Sequence, residues 1–274
     1  MSHFIEHMLF KGTRSRSAFD IASAIDSVGG VINAFTGKEL TSLYVKIPDY
    51  HLPLAIDLLA DIIQESVFDP EEIQREKSVV LQEIHMLEDA PDELIHDFFE
   101  AVFWEGHPLG LPVLGTRERV QVYSRESLTD FFLPRYRGEN LVISAAGRLE
   151  HDALVQLVSA SFAGLERDAH CATLAAPAAE RRIAALEKDL EQVHLIIGTH
   201  APSSLDGKRY AGFLMNAVLG GSMSSRLFQE IREKRGLAYA VHSYLTPYLD
   251  TGMLGVYAGT GEDKVREVVG VTLD

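Results

Sequence analysis

The 274 residues are 46% hydrophobic and 24% charged, an ordinary globular composition with enough length for one large or two medium domains. With 25 basic against 40 acidic residues the formal charge is −15, which argues against nucleic acid or anionic membrane as the main partner and favours basic ligands such as a basic peptide. The single cysteine, Cys171, rules out an intramolecular disulfide and a thiolate zinc cluster, so any metal must take nitrogen and oxygen ligands.

The chain opens with MSHFIEHMLFKGT. Positions three and four apart share a helix face, so His3, Glu6 and His7 form one polar patch on an element otherwise made of Phe4, Ile5, Met8, Leu9 and Phe10. SAFDIASAIDSVGG predicts a second helix, with Ser17 and Asp20 as a capping box and Gly29-Gly30 as its stop. VINAFTGKELTSLYVKI changes period to that of a hairpin turning at Gly37-Lys38. The segment from Asp49 to Glu65 reads as helical. A long helix follows from Pro70 to about Glu88, with Asp69 as N-cap, Pro70 in the first position and Glu72 completing the cap.

Further helices are expected near Asp92 to Phe103, Ser127 to Tyr136 and His151 to Ala163, with a buried strand, NLVISAAG, between the last two. Small residues without a period in LERDAHCATLAAPAAE predict a linker at 167–180, separating a first domain, 1–166, from a second, 181–274. Beyond it RYAGFLMNAVLGG and SSRLFQEIREKRG read as helices, LAYAVHSYL and TGMLGVYAGT as strands. FDIASAIDSVGGVINAF lays over LFQEIREKRGLAYAVHS helix on helix and strand on strand. The expected fold class is therefore α+β: two similar α/β repeats, each a mostly antiparallel sheet packed against helices.

Two histidines at i and i+4 can aim their ring nitrogens at one point, and neutral imidazoles suit Zn²⁺. A catalytic zinc needs a third protein ligand. On the helix beginning at Pro70, Glu76, Val79, Val80, Glu83 and Leu87 recur at helical spacing, which places two carboxylates on a face expected to meet the core. A buried carboxylate is costly without a cation or a metal. Glu83 as third ligand and Glu76 as its support explain both positions and leave Glu6 free as general base. The order H-x-x-E-H is the inverse of the commoner H-E-x-x-H zinc signature. Taken alone, such histidines are as often solvated or satisfied core residues.

HFIEHMLFKGT, with FDIASAIDSVGGVINAFTGKELTSLYVKI, REKSVVLQEIHMLEDAPDEL and GHPLGLPVLGT, resembles the insulinase and mitochondrial processing peptidase family of metallopeptidases, over nearly the whole chain. The resemblance implies one zinc per chain on His3, His7 and Glu83, with Glu6 activating the water for peptide-bond hydrolysis and Glu76 in support. It also implies that Arg232 and Tyr239, in GGSMSSRLFQEIREKRGLAYAVHS, contact substrate, and that Asn33 and Ala34, in VINAFTG, receive an extended peptide as an added strand. Gly220-Gly221 lacks the Gly-Lys-Ser/Thr ending of a phosphate loop and reads as a helix break.

Family members carry strands before the zinc helix and more elements after the second-repeat hairpin, so the chain is expected to be truncated at both ends. The alternative to a peptidase is a non-catalytic subunit kept for binding or assembly. Expected partners are peptide substrates and a second copy or homologous subunit, with neither nucleic acid nor membrane. The expected compartment is the bacterial cytoplasm, any leader having gone with the missing start.

Overall fold

A computed structural model describes residues 1–168, 174–177 and 181–274. Part of the expected linker, with Cys171, lies outside the described residues. The elements are helices α1 (Ser2–Leu9) and α2 (Ala18–Asp26), strands β1 (Val31–Thr36) and β2 (Thr41–Lys46), then helices α3 (Leu52–Glu65), α4 (Pro70–Glu88), α5 (Pro91–Phe103), α6 (Arg117–Gln121), α7 (Arg125–Phe132) and α8 (His151–Ser161). They continue with β3 (Val193–His200), α9 (Arg209–Leu219), β4 (Ala238–Pro247), β5 (Gly252–Thr260) and α10 (Val265–Leu273). The fold class is α+β, with two antiparallel sheets. The chain divides into two units, Met1–His85 with Val113–Thr173 and Met86–Pro112 with Leu174–Asp274. No helix among the described residues is long and apolar enough to cross a membrane.

In the first unit, α1 is too short to persist alone, since isolated helices below about 12 residues are marginal in water. It is held because Phe4, Ile5, Met8 and Leu9 are all buried in one cluster with Ile21, Ile62, Ile73, Val80 and Leu128. Each such side chain contributes roughly 1.5–3 kcal/mol on burial. Ser17 and Asp20 close the expected capping box on α2, and Gly29 leaves that helix at φ +69°, a conformation that costs glycine little. The hairpin pairs Val31 with Lys46 at its open end and Thr36 with Thr41 at the turn. Asp69 Oδ1 accepts from the amides of Glu71 and Glu72 at 2.8 and 3.1 Å, while the Glu72 carboxylate turns to Arg75.

Three expectations are corrected in this unit. On α4 the buried side chains are Ile73, Glu76, Val80 and Ile84, and Val79 is 43% exposed, because the core meets a narrower stripe than the sequence spacing allows. The helix expected from Ser127 to Tyr136 begins earlier and ends earlier, since Ser124 caps α7 and Pro134 disfavours helix in the residue before it. Residues 141–146, expected as a buried strand, belong to no sheet, and Val142 is 92% exposed. A strand needs a ladder partner, and β1 and β2 pair only with each other among the described residues.

In the second unit the order is β3-β5-β4, all antiparallel. β5 is flanked on both edges and buried along its length, so TGMLGVYAGT is nearly free of charge. Leu227, Ile231, Val241, Val256, Ala258 and Val268 form one core, and Trp104, Leu109, Tyr248 and Met253 a second. A β-carbon on Gly220 would stand 2.4 Å from the amide nitrogen of Ser243, so this glycine ends α9 where another backbone comes close. The segment read as a plain helix in SSRLFQEIREKRG takes a π-helical turn over Phe228–Glu233. β3 and α10 were not anticipated from the sequence.

His96 on α5 stacks at 6.4 Å from His242 on β4 and at 5.6 Å from Tyr257. Burial lowers the pKa of both histidines, and for His96 the charge of His242 adds to this against the opposing pull of Asp97, Asp92 and Glu93. A histidine with a depressed folded pKa binds its proton more readily in the unfolded chain. Stability is therefore full above the ordinary value of 6.5 and falls as pH drops below it. Urea unfolding of the second unit should show this loss as pH falls below 6.5, and His96→Gln should flatten it. An identical pH slope in the variant would refute the assignment.

Candidate metal centre

α1 directs its less buried face, with His3, Glu6 and His7, away from the apolar cluster that holds it. α4 presents Glu76 and Glu83 about two turns apart. His3, His7 and Glu83 each offer a ligand atom within 4.8 Å of the others, the one such grouping among the described residues. The two Nε2 atoms are 3.3 Å apart, and Glu83 oxygens lie 3.6 Å from His3 Nε2 and 3.7 Å from His7 Nε2.

Glu76 is only 4% exposed, and both its oxygens are engaged. Oε2 takes a hydrogen bond from His7 Nδ1 at 3.0 Å, and Oε1 meets Lys11 Nζ at 2.5 Å. A carboxylate beside an ammonium only accepts, so His7 carries a proton on Nδ1 and Nε2 is the nitrogen that faces His3 and Glu83. Burial, reinforced by the charge of His7, pushes the pKa of His3 down to about 4, leaving its imidazole neutral near pH 7. Glu83 Oε2 is buried without a hydrogen-bond partner. Two imidazole nitrogens facing each other beside a carboxylate oxygen without a hydrogen-bond partner fit a cation, and the nitrogen and oxygen donor set suits zinc.

Glu6 is not among these converging atoms. Its Oε2 accepts from the hydroxyl of Thr36, the last residue of β1. Asn33 is exposed on the same strand and bonds the Ala34 amide through its own side chain at 2.8 Å, while Ala34 is half-buried. In the second unit, Arg232 lies 4.4 Å over the ring of Tyr239 and 4.8 Å over that of Phe228. Tyr239 is 77% exposed and falls at the register shift between Ala238 and Ala240, so a β-bulge sets its direction. Arg232 sits in the π-helical turn. Both are irregularities that recur at functional sites.

Two groups of this neighbourhood escaped sequence reasoning. Lys11 stands four residues after His7, a spacing that could have suggested a shared partner. Thr36 and Thr41 flank the hairpin turn as a cross-strand pair, but nothing local ties them to Glu6.

Residues 1–117 match the family model described as insulinase, peptidase family M16, and residues 123–274 match that described as the peptidase M16 inactive domain. An uncharacterized zinc protease of Streptomyces coelicolor is 42% identical over 281 residues, covering 100% of this chain and 61% of the relative. The uncharacterized zinc protease YmxG of Bacillus subtilis is 41% identical over 268 residues, covering 98% of this chain and 65% of YmxG. The chain thus spans less than two thirds of the length of these curated relatives. The crystal structure of a peptidase M16 inactive domain from Pseudomonas fluorescens superposes with a TM-score of 0.92 at 22% identity, covering 99% of this chain and 68% of the other. That of a protease from Helicobacter pylori gives 0.88 at 20% identity, covering 98% and 68%. At such identities the two structures speak to the fold alone, whereas the family matches and the closer relatives place the sequence itself. The chain belongs to the insulinase family, peptidase family M16.

Proposed function

We propose that this chain carries the catalytic half of a zinc-dependent endopeptidase acting on extended peptides, with a metal-binding repeat over 1–166 and a substrate-contacting repeat over 181–274. The observation that carries the reading is the convergence of His3, His7 and Glu83 with Glu76 and Lys11 behind His7. Relatives at about 41% identity named zinc proteases support it. His3, His7 and Glu83 would hold one zinc, which when bound polarises the scissile carbonyl and acidifies a water.

The remaining work falls to the chain's own groups. Glu76 fixes the tautomer and the aim of His7, and Lys11 balances the buried charge of Glu76. Glu6 takes the proton of the attacking water on its carboxylate and passes it to the leaving amine. Asn33 and Ala34 present backbone to an extended peptide, which selects for shape and leaves sequence choice to side-chain pockets. Arg232 and Tyr239 orient or stabilise a substrate carbonyl oxygen through a guanidinium and a phenol. The net charge of −15 favours basic peptides as substrates, and a second copy or a homologous subunit as partner belongs to the same reading.

A second reading is a non-catalytic binding subunit, favoured by the match of 123–274 to a model described as an inactive domain. Zinc content and cleavage of an internally quenched peptide separate the two. The peptidase reading expects about one zinc per chain and zinc-dependent cleavage, with Tyr239→Phe lowering kcat at unchanged zinc content. A protein that takes up no zinc and cleaves nothing would support the binding subunit.

A further inference from the structure

Among the described residues Glu6 is held through one oxygen, and what holds it is a pair of threonine hydroxyls. Thr36 Oγ1 donates to Glu6 Oε2. Thr41 Oγ1 lies 3.2 Å from Thr36 Oγ1, across the closing pair of the hairpin. Proton counting gives the direction. A carboxylate accepts only, so Thr36 spends its single proton on Glu6 and can then only accept from Thr41. Thr41 in turn spends its proton on Thr36. Each hydroxyl therefore points toward Glu6.

Thr36 and Thr41 are neighbours only because the hairpin register pairs them.

We propose that Thr36, backed by Thr41, is a positioning residue for the general base. It pins Oε2 of Glu6 and leaves Oε1 as the oxygen that receives the proton of the attacking water. The inference rests on Glu6 being the base. It deepens that reading by naming the groups that aim the carboxylate, and it predicts that the hairpin, not only the two helices, belongs to the catalytic apparatus.

In the zinc-loaded protein, Thr36→Val keeps the β-branched shape and removes the hydroxyl. It should lower kcat at least about tenfold, the scale of one hydrogen bond to a charged group, with KM within about twofold and zinc content unchanged. Thr36→Ser should recover most of the rate, and Thr41→Val, one bond further from Glu6, should cost less than Thr36→Val. Independently of turnover, proton NMR should show a solvent-protected Thr36 hydroxyl resonance that is lost in Thr36→Val and displaced in Glu6→Gln. Wild-type kcat in Thr36→Val beside an inactive Glu6→Gln would overturn the positioning role alone. Thr36→Ser as impaired as Thr36→Val would do the same. A fully active Glu6→Gln would overturn the base assignment itself.

Discussion

Glu6→Gln is expected to lose peptidase activity by about 10²–10⁴-fold while keeping about one zinc per chain, and Glu83→Ala to lose the zinc itself. The two carboxylates differ because their surroundings differ. Glu6 faces Thr36 from β1 and has no place among the converging ligand atoms, so an uncharged isostere removes a proton acceptor and little else. Glu83 supplies oxygens 3.6 and 3.7 Å from the two imidazole Nε2 atoms, so its loss leaves two nitrogens to hold the ion. Affinity should fall by at least about 100-fold, beyond what is typical for loss of an outer partner. Metal analysis after dialysis, together with single-turnover cleavage, measures both. Loss of metal in Glu6→Gln with full metal and rate in Glu83→Ala would reverse the assignment.

Removing zinc should destabilise the first unit by about 4 kcal/mol when the metal is otherwise present at about 1,000 times its dissociation constant. The geometry explains the direction. Two imidazole nitrogens 3.3 Å apart and a buried Glu83 oxygen without a hydrogen-bond partner converge at the junction of α1 with α4, and a cation among them would give each a partner. The short α1 depends on that packing. Thermal unfolding of the protein before and after treatment with a chelator should show a lowered midpoint, restored by added zinc. The midpoint of Glu83→Ala should no longer respond to zinc, and equal unfolding of the wild-type protein in both states would refute the coupling.

Much of the fold was legible because its signals are local. Ser17 with Asp20, Asp69 with Pro70, and the glycines at 29 and 30 mark helix ends within a few contiguous residues, and the alternation around Gly37 marks a hairpin. The spacing of His3, Glu6 and His7 is likewise local, since one turn of helix puts them on one face. That Glu76 would be buried also followed from periodicity, although the same periodicity wrongly placed Val79 in the core.

Convergence of distant segments was decided only by tertiary structure. Lys11 on Glu76, Thr36 on Glu6, and the stacking of Arg232 on Tyr239 each join residues whose proximity no spacing rule records. The sharpest contrast lies between two similar apolar segments. NLVISAAG and VHLIIGTH both carry β-branched residues suited to a strand, yet only the second became one. A helix makes its hydrogen bonds within its own sequence, so sequence alone can place it. A strand makes them to a neighbour, and β5 lies beside 193–200 while no described strand lies beside 141–146.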